Sequence, residues 1–415
     1  MEKKTEITKH RRDKLLDGIL KKFFTPGEIE KFNRRLLSAK QTSSRVKLSK
    51  AASQKEKETY KHSEIDLLLT YAQKIFEKPK YLEFLLQLGK YCVTTGNHNQ
   101  ALFILENTLN ETKGKTCFEK IHADASLAIG EMYSRQSLWK LSIQYIRKAR
   151  ILYQKINDIL GCANTENLFG AIYIERGDFL RSINYFEKAL SIAEPLRNLE
   201  FIGKVEHNIG ITNTNCGNYD TALTYYKRAL VSFKNVGNIR ELANVYLDIS
   251  ALYVQMGLYE RALKELEMGK NLAKTINFKQ ALGSSYAWKA FLLVKLKDFN
   301  LAETIADEAL EIYNKINSKI GIADIYKIKG IIQRNLKNYF LAEHYLLTSL
   351  RINKEIKNEW NGAEAEYELG VLYLEKEKLS EGKKHFLIAL KYFKKVKAKK
   401  EIEEIERQLK NIFAF

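Results

Sequence analysis

From Asn208 to Leu230 the chain reads NIGITNTNCGNYDTALTYYKRAL. Gly210 lies inside a helix-spaced apolar run, Gly217-Asn218 is a turn signal, and Ala222, Tyr226 and Ala229 follow at the three- and four-residue spacing of a second helix. A helix, a tight turn and another helix make a hairpin. The position of Gly210 recurs every 40 residues, as Gly130, Gly170, Gly210, Ser250, Ala290, Gly330 and Gly370, and it is always small. No insertion interrupts the period, so the chain is an array of one unit. Each unit can bury its apolar face only against its neighbours.

Other columns keep the same register. Nine residues after the small column stand Trp139, Phe179, Tyr219, Tyr259, Phe299, Tyr339 and Leu379, where a second helix begins. Small residues at twelve and nineteen, such as Ala222 and Ala229, let the two helices approach, while Phe186, Tyr226, Leu266, Leu346 and Phe386 fill the space beside them. A second small column, seven residues before the first, runs from Ala123 to Ala363 and lengthens the first helix. Turns between hairpins are expected at Asn157-Asp158, Arg197-Asn198, Gly237-Asn238, Asn277-Phe278, Asn317-Ser318 and Lys357-Asn358, because Asn and Gly tolerate the left-handed conformation that ends a helix.

This pattern closely resembles the tetratricopeptide repeat (TPR), through Asn208-Ile209-Gly210, Gly217-Asn218-Tyr219 and Ala222 to Leu230. The resemblance covers residues 81–397, including a degenerate copy centred on Gly89 with Gly96 and Ala101 in register. It implies an all-α fold, a right-handed α-solenoid of TPR helical hairpins. The usual unit is about 34 residues; the longer one here is similar to those of LGN-type adaptors, kinesin light chains and the TPR regions of bacterial signalling regulators, which bind protein segments. The expected organisation is a basic helical and flexible segment over 1–60, a lead-in helix and degenerate repeat over 61–116, seven repeats over 117–397 and a capping helix over 398–415.

The formal charge is +19, and residues 1–60 hold 17 Lys/Arg against 8 Asp/Glu. The stretch 383–400 adds lysines and no acid. Such ends can attract nucleic acid or anionic lipid without reading a sequence, but solvated lysines are the preferred reading. His10 to Phe23 and Gly27 to Ala39 read as two helices split by Thr25-Pro26, and the polar stretch Gln41 to Lys57 reads as a flexible linker. Leu16 to Leu37 faintly resembles the first helices of Trp-repressor-like domains. Gln41 to Lys57 lacks the apolar spacing of a turn and recognition helix, so a complete helix-turn-helix does not follow.

In the family the first helix of each hairpin lines the concave face, with exposed residues at offsets −6, −3, +1, +4 and +5 from the small column. The resemblance therefore assigns Asn164, Asn167, Lys204, His207, Asn215, Asn244, Gln255, Phe291, Lys327, Arg334 and Asn335 to partner binding. Amides suit an extended peptide because each offers a donor and an acceptor, as the peptide backbone does. Phe291, Val294, Ile331 and Val371 could form an apolar anchor pocket or simply touch adjacent helices. The pair that clamps a chaperone C-terminus in some relatives, Lys at −3 with Asn at +1, is absent: Lys327 is followed by Ile331.

Catalysis is not expected, since no GxGxxG after a strand, GxxxxGK[ST] or HExxH occurs. Cys92, Cys117, Cys162 and Cys216 lack CxxC spacing and form no cluster with the seven histidines, so neither metal nor cofactor is expected and the thiols read as free. With no apolar leader and no membrane-length apolar run, the location expected is cytoplasmic. The sequence thus points to a scaffold or adaptor with a protein or peptide partner. The alternative is a gene-regulatory or nucleic-acid-associated protein whose basic N-terminus is joined to a TPR sensor.

Overall fold

The computed structural model describes residues 14–48, 64–396 and 398–413, and every regular element among them is helical. The chain divides into two compact units, one ending at Leu168 and one beginning at Phe169.

The N-terminal unit opens with α1 (Lys14–Phe23) and α2 (Pro26–Leu48), divided by the Thr25-Pro26 signal. Thr25 and Glu28 form a capping box: the Thr25 backbone N–H donates to Glu28 Oε2 at 2.7 Å and Glu28 N–H donates back to Thr25 Oγ1 at 3.4 Å. Pro26 takes the first helical position, where its missing N–H costs nothing. Helix α2 continues past Gln41 to Leu48, which corrects the linker expected there; residues 49–57 of that stretch lie outside the described residues. Gln41 to Leu48 holds no Gly or Pro to stop a helix that is already nucleated.

Helix α3 (Glu64–Ile75) follows, then the hairpin of α4 (Lys78–Thr94) and α5 (His98–Thr112), and that of α6 (Glu119–Arg135) and α7 (Trp139–Lys155). An aromatic cluster joins the first four helices. Phe24 lies 4.7 Å from Phe76 and 5.5 Å from Phe84, and the Tyr71 hydroxyl donates to the Glu28 carbonyl at 3.2 Å. The described part of the basic segment is therefore packed against α3 and α4.

Helix α8 (Ile159–Glu175) crosses from one unit to the next. The C-terminal unit then holds α9 (Phe179–Ala193), α10 (Leu199–Asn215), α11 (Tyr219–Asn235), α12 (Ile239–Gln255), α13 (Tyr259–Thr275), α14 (Lys279–Lys295), α15 (Phe299–Lys315), α16 (Lys319–Asn335), α17 (Tyr339–Glu355), α18 (Glu359–Glu375), α19 (Leu379–Lys395) and α20 (Lys399–Phe413). Helices pack in successive pairs, as the solenoid expectation requires.

The packing explains the columns. A Cβ on Gly210 would stand 2.5 Å from the Tyr226 ring, so the aromatic seals the hairpin only where the facing residue is glycine. Phe186, Tyr226, Leu266, Leu346 and Phe386 are all at most 2% exposed, and each such side chain contributes about 1.5–3 kcal/mol by leaving water. Turns follow one scheme. Gly217 N–H donates to Thr214 O and Asn218 N–H to Asn213 O, a Schellman closure. The expected inter-hairpin turns place Asn157, Arg197, Gly237, Asn277, Asn317 and Lys357 at positive φ, and Asn198, Asn238 and Asn358 then cap the next helix through their side-chain oxygens.

First helices also touch one another across repeats, α10 with α12, α12 with α14, α14 with α16 and α16 with α18. The first helices are thus the closer-spaced, inner layer of the stack. Helix α20 covers the last hairpin with Ile405 and Leu409 buried.

Candidate partner-binding wall

Within the N-terminal unit, α4, α6, α7 and α8 enclose a recess of about 360 Å³ lined by Lys90, Lys120, Asp124, Glu131, Tyr153 and Asn164, among others. The Tyr153 hydroxyl donates to Asp124 Oδ1 at 2.5 Å. Burial first, then the Asp124 charge, pushes this phenol far above its ordinary range, so it stays a neutral donor. Lys120 pairs with Asp158 across the recess. Asn164, half-buried, donates one amide N–H to its own helix at Leu160 O, 3.0 Å away. Asn167 is half-buried on the same helix.

In the C-terminal unit, α10 and α12 carry the next group. Lys204 is exposed and pairs with Glu200 at 3.2 Å. His207, 12% exposed, has Nε2 at 2.6 Å from Asp248 Oδ2 on α12. Its ring tilts against Tyr226 at 5.8 Å, and the Tyr226 hydroxyl meets Thr214 at 3.1 Å. Asn244 donates to Glu241 Oε2, 3.2 Å away on its own helix. Asn215 and Gln255 are exposed at the C-terminal ends of α10 and α12.

Further along, Phe291 stands edge-on to Trp288 at 5.9 Å with the Lys295 ammonium 5.0 Å from its ring centre. Val294 and Ile331 are 8% and 7% exposed within the core between hairpins. They are packing residues, which removes two of the four members of the expected apolar pocket. Phe291 and Val371 stay half-buried.

On α16 and α18 the wall becomes an ion network. Lys327 pairs with Glu364 and lies 3.8 Å from Asp324. Arg334 donates to Glu368 at 3.0 Å and Glu375 at 2.9 Å. Asn335 donates to Ile331 O at 2.8 Å on its own helix. Burial alone would lower the Lys327 ammonium, but Glu364 and Asp324 outweigh it and hold it above its usual range. Burial pushes the Asp324 carboxyl up to about 6, with Lys327 opposing and Glu364 adding. Burial also raises Glu368, against the pull of Arg334 and Lys327.

The repeat geometry agrees with a known pattern: a model of the tetratricopeptide repeat matches residues 122–194 and 201–275. Each matched stretch contains two of the hairpins described above. Residues 122–194 and 201–275 are tetratricopeptide repeats. No curated protein matches it by sequence. Among solved structures, the TPR chain is similar to NprR in complex with its cognate peptide NprX, at 16% identity over 82% of this chain and 99% of that one, with a TM-score of 0.55. It is similar to a Rap protein complexed with Competence and Sporulation Factor, at 14% identity over 93% and 98%, TM-score 0.54. Aspartyl phosphate phosphatase F from Bacillus subtilis aligns at 15% identity over 83% and 95%, TM-score 0.53. At such identities the likeness is one of fold.

Two residues of the TPR wall were missed in the sequence. Asp248 and Glu368 stand at offset −2, outside the offsets that the family uses, yet they hold His207 and Arg334. The signal was present as an acid about one repeat after an inner-wall cation. Among the described residues no helix is long and apolar enough to cross a membrane.

Proposed function

We propose that this TPR protein binds an extended peptide or protein segment along its first-helix wall and acts as an adaptor or receptor without catalysing a reaction. The observation that carries the reading is the contrast in the wall's polar groups. Lys327 and Arg334 already hold carboxylates, which disfavours a grip on an acidic partner. Asn164, Asn244 and Asn335 each commit one amide N–H to their own helix, and an amide has a second N–H and an oxygen to offer a strand-like backbone. Peptide complexes among the fold neighbours favour the same mode.

Capture from a lysate of the source tests this, comparing wild type with a variant carrying alanine at Asn164, Asn167, Asn215 and Asn244, with nuclease treatment in parallel. A protein partner lost only in the variant supports the reading. Capture that survives the variant and vanishes with nuclease sinks it.

A second reading, gene regulation through the N-terminal segment, is favoured by two observations. The described basic helices α1 and α2 form a packed module with α3 and α4, and a Rap conjugation gene regulator in complex with the Phr* peptide has the same fold, at 18% identity over 80% of this chain and 95% of that one, TM-score 0.54. Loss of nucleic-acid binding on removing residues 1–60 would support it; retention would reject it.

A further inference from the structure

The turns inside the hairpins place Gly96, Ser137, Gly177, Gly217, Gly257, Lys297, Lys337 and Glu377 at positive φ. Four of these carry a side chain, so the left-handed backbone alone does not demand glycine here. At Gly217 and Gly257 an added Cβ would meet open space. Gly177 differs: its Cβ would collide with the carbonyl oxygen of Val396 and lie 2.5 Å from the carbonyl carbon. Only a residue without a Cβ lets that carbonyl come so near, in a Cα–H···O contact.

Val396 follows α19, at the opposite end of the C-terminal unit from the α8–α9 turn. The side chains of Val396 and Ala398 are buried in the core of the last hairpin and its capping helix, which leaves the Val396 carbonyl to meet Gly177. Neighbouring groups report the same proximity. Burial, Glu359 and also Glu175 at the end of α8 push the Tyr392 phenol up to about 12. Lys399 acts on Cys216, in the next turn along, against the burial that raises its thiol. In a repeat array each hairpin touches its neighbours, so contacts between the first turns of this unit and its last are of another kind.

We infer that this contact is a clasp: the Val396 turn docks on the Gly177 turn, closes the first-helix wall of the C-terminal unit on itself, and must open to admit a partner chain. The contact is one turn on another, so it can open without separating the two helices of any hairpin. Closure stands independently of the proposed peptide binding, and only the gating role rests on that reading.

The test uses the full chain and no partner. Gly177→Ala and Gly217→Ala both place a side chain at positive φ, but only the first meets Val396. Hydrogen exchange of the amides from 392 to 402 should speed up several-fold in Gly177→Ala and stay at the wild-type rate in Gly217→Ala. Equal exchange in the two variants overturns the clasp. Should Gly177→Ala fail to fold, Lys399→Cys with the native, exposed Cys216 should cross-link through a short bis-maleimide, and no cross-link also overturns it. For the gate, Gln255→Cys in a Cys117→Ser background is labelled with a polyethylene-glycol maleimide. Labelling should fall several-fold when the Cys216–Lys399→Cys link is made first with Gln255→Cys reversibly protected. Unchanged labelling overturns the gating role while leaving closure intact.

Discussion

The wall of α10 and α12 and the wall of α16 and α18 are built on the same hairpin, yet their polar groups are in opposite states. On α10 and α12 the amides Asn244, Asn215 and Gln255 bond within their own helix or face solvent, and the contact of His207 with Asp248 crosses between repeats. On α16 and α18 the cations Lys327 and Arg334 are bound to acids of the following repeat. The first wall turns Asn215 and Gln255 to solvent, whereas the second uses its charges to fix the spacing of its own helices. Residue type at an inner offset is therefore a poor guide to binding until the partner one repeat away is known.

The largest effect that would sharpen this comparison comes from the shared core. Phe386→Ala, beneath the ionic wall, should cost about 3–5 kcal/mol, because the cavity facing Gly370 cannot collapse without moving the helices. Urea unfolding measures it. Lys327→Met should come next, at about 3 kcal/mol, since Glu364 and Asp324 are left without their cation. Asn244→Ala, by contrast, should change stability by less than about 0.5 kcal/mol while weakening partner capture. A Lys327→Met that unfolds like wild type, or an Asn244→Ala that unfolds early, would break the division between the two walls.

A pH series sharpens it further. Asp324 titrates at about 6 in the fold, above its ordinary 3.8, so the folded state holds this proton more tightly than the unfolded chain. Its contribution favours folding at low pH and is lost as pH rises from about 4 through 6. The difference in stability between wild type and Asp324→Asn should therefore move against wild type over that window and be flat above it. A flat difference throughout would show that the network does not bury Asp324. A further effect is local and opposite in sign: Lys337→Gly, at φ 61°, should raise stability by about 0.5–1 kcal/mol by relieving a left-handed side chain.

The hairpins were legible because the columns are forced by contacts inside one repeat. Gly210 faces Tyr226 sixteen residues on, and any register shift would destroy both. The capping box at Thr25 was equally local, although the extension of α2 past Gln41 was not, since nothing in that polar stretch marks a helix. The candidate wall was legible only in part. Asn164, Asn244 and Asn335 fall on the first helices as expected, but the engagement of Lys327 and Arg334 and the burial of Val294 and Ile331 depend on the next hairpin.

Sequence by itself determined the repeat length, the hairpin, the positions of its turns and the array, because these follow from helical periodicity and from steric fit between residues close in the chain. Only the tertiary structure decided which inner charges are already neutralised, that α1 and α2 pack through an aromatic cluster, and that Val396 meets Gly177. Those contacts join residues from about one repeat to the whole unit apart, and their formation depends on how small helix-to-helix rotations accumulate along the stack, which no local pattern of residues encodes.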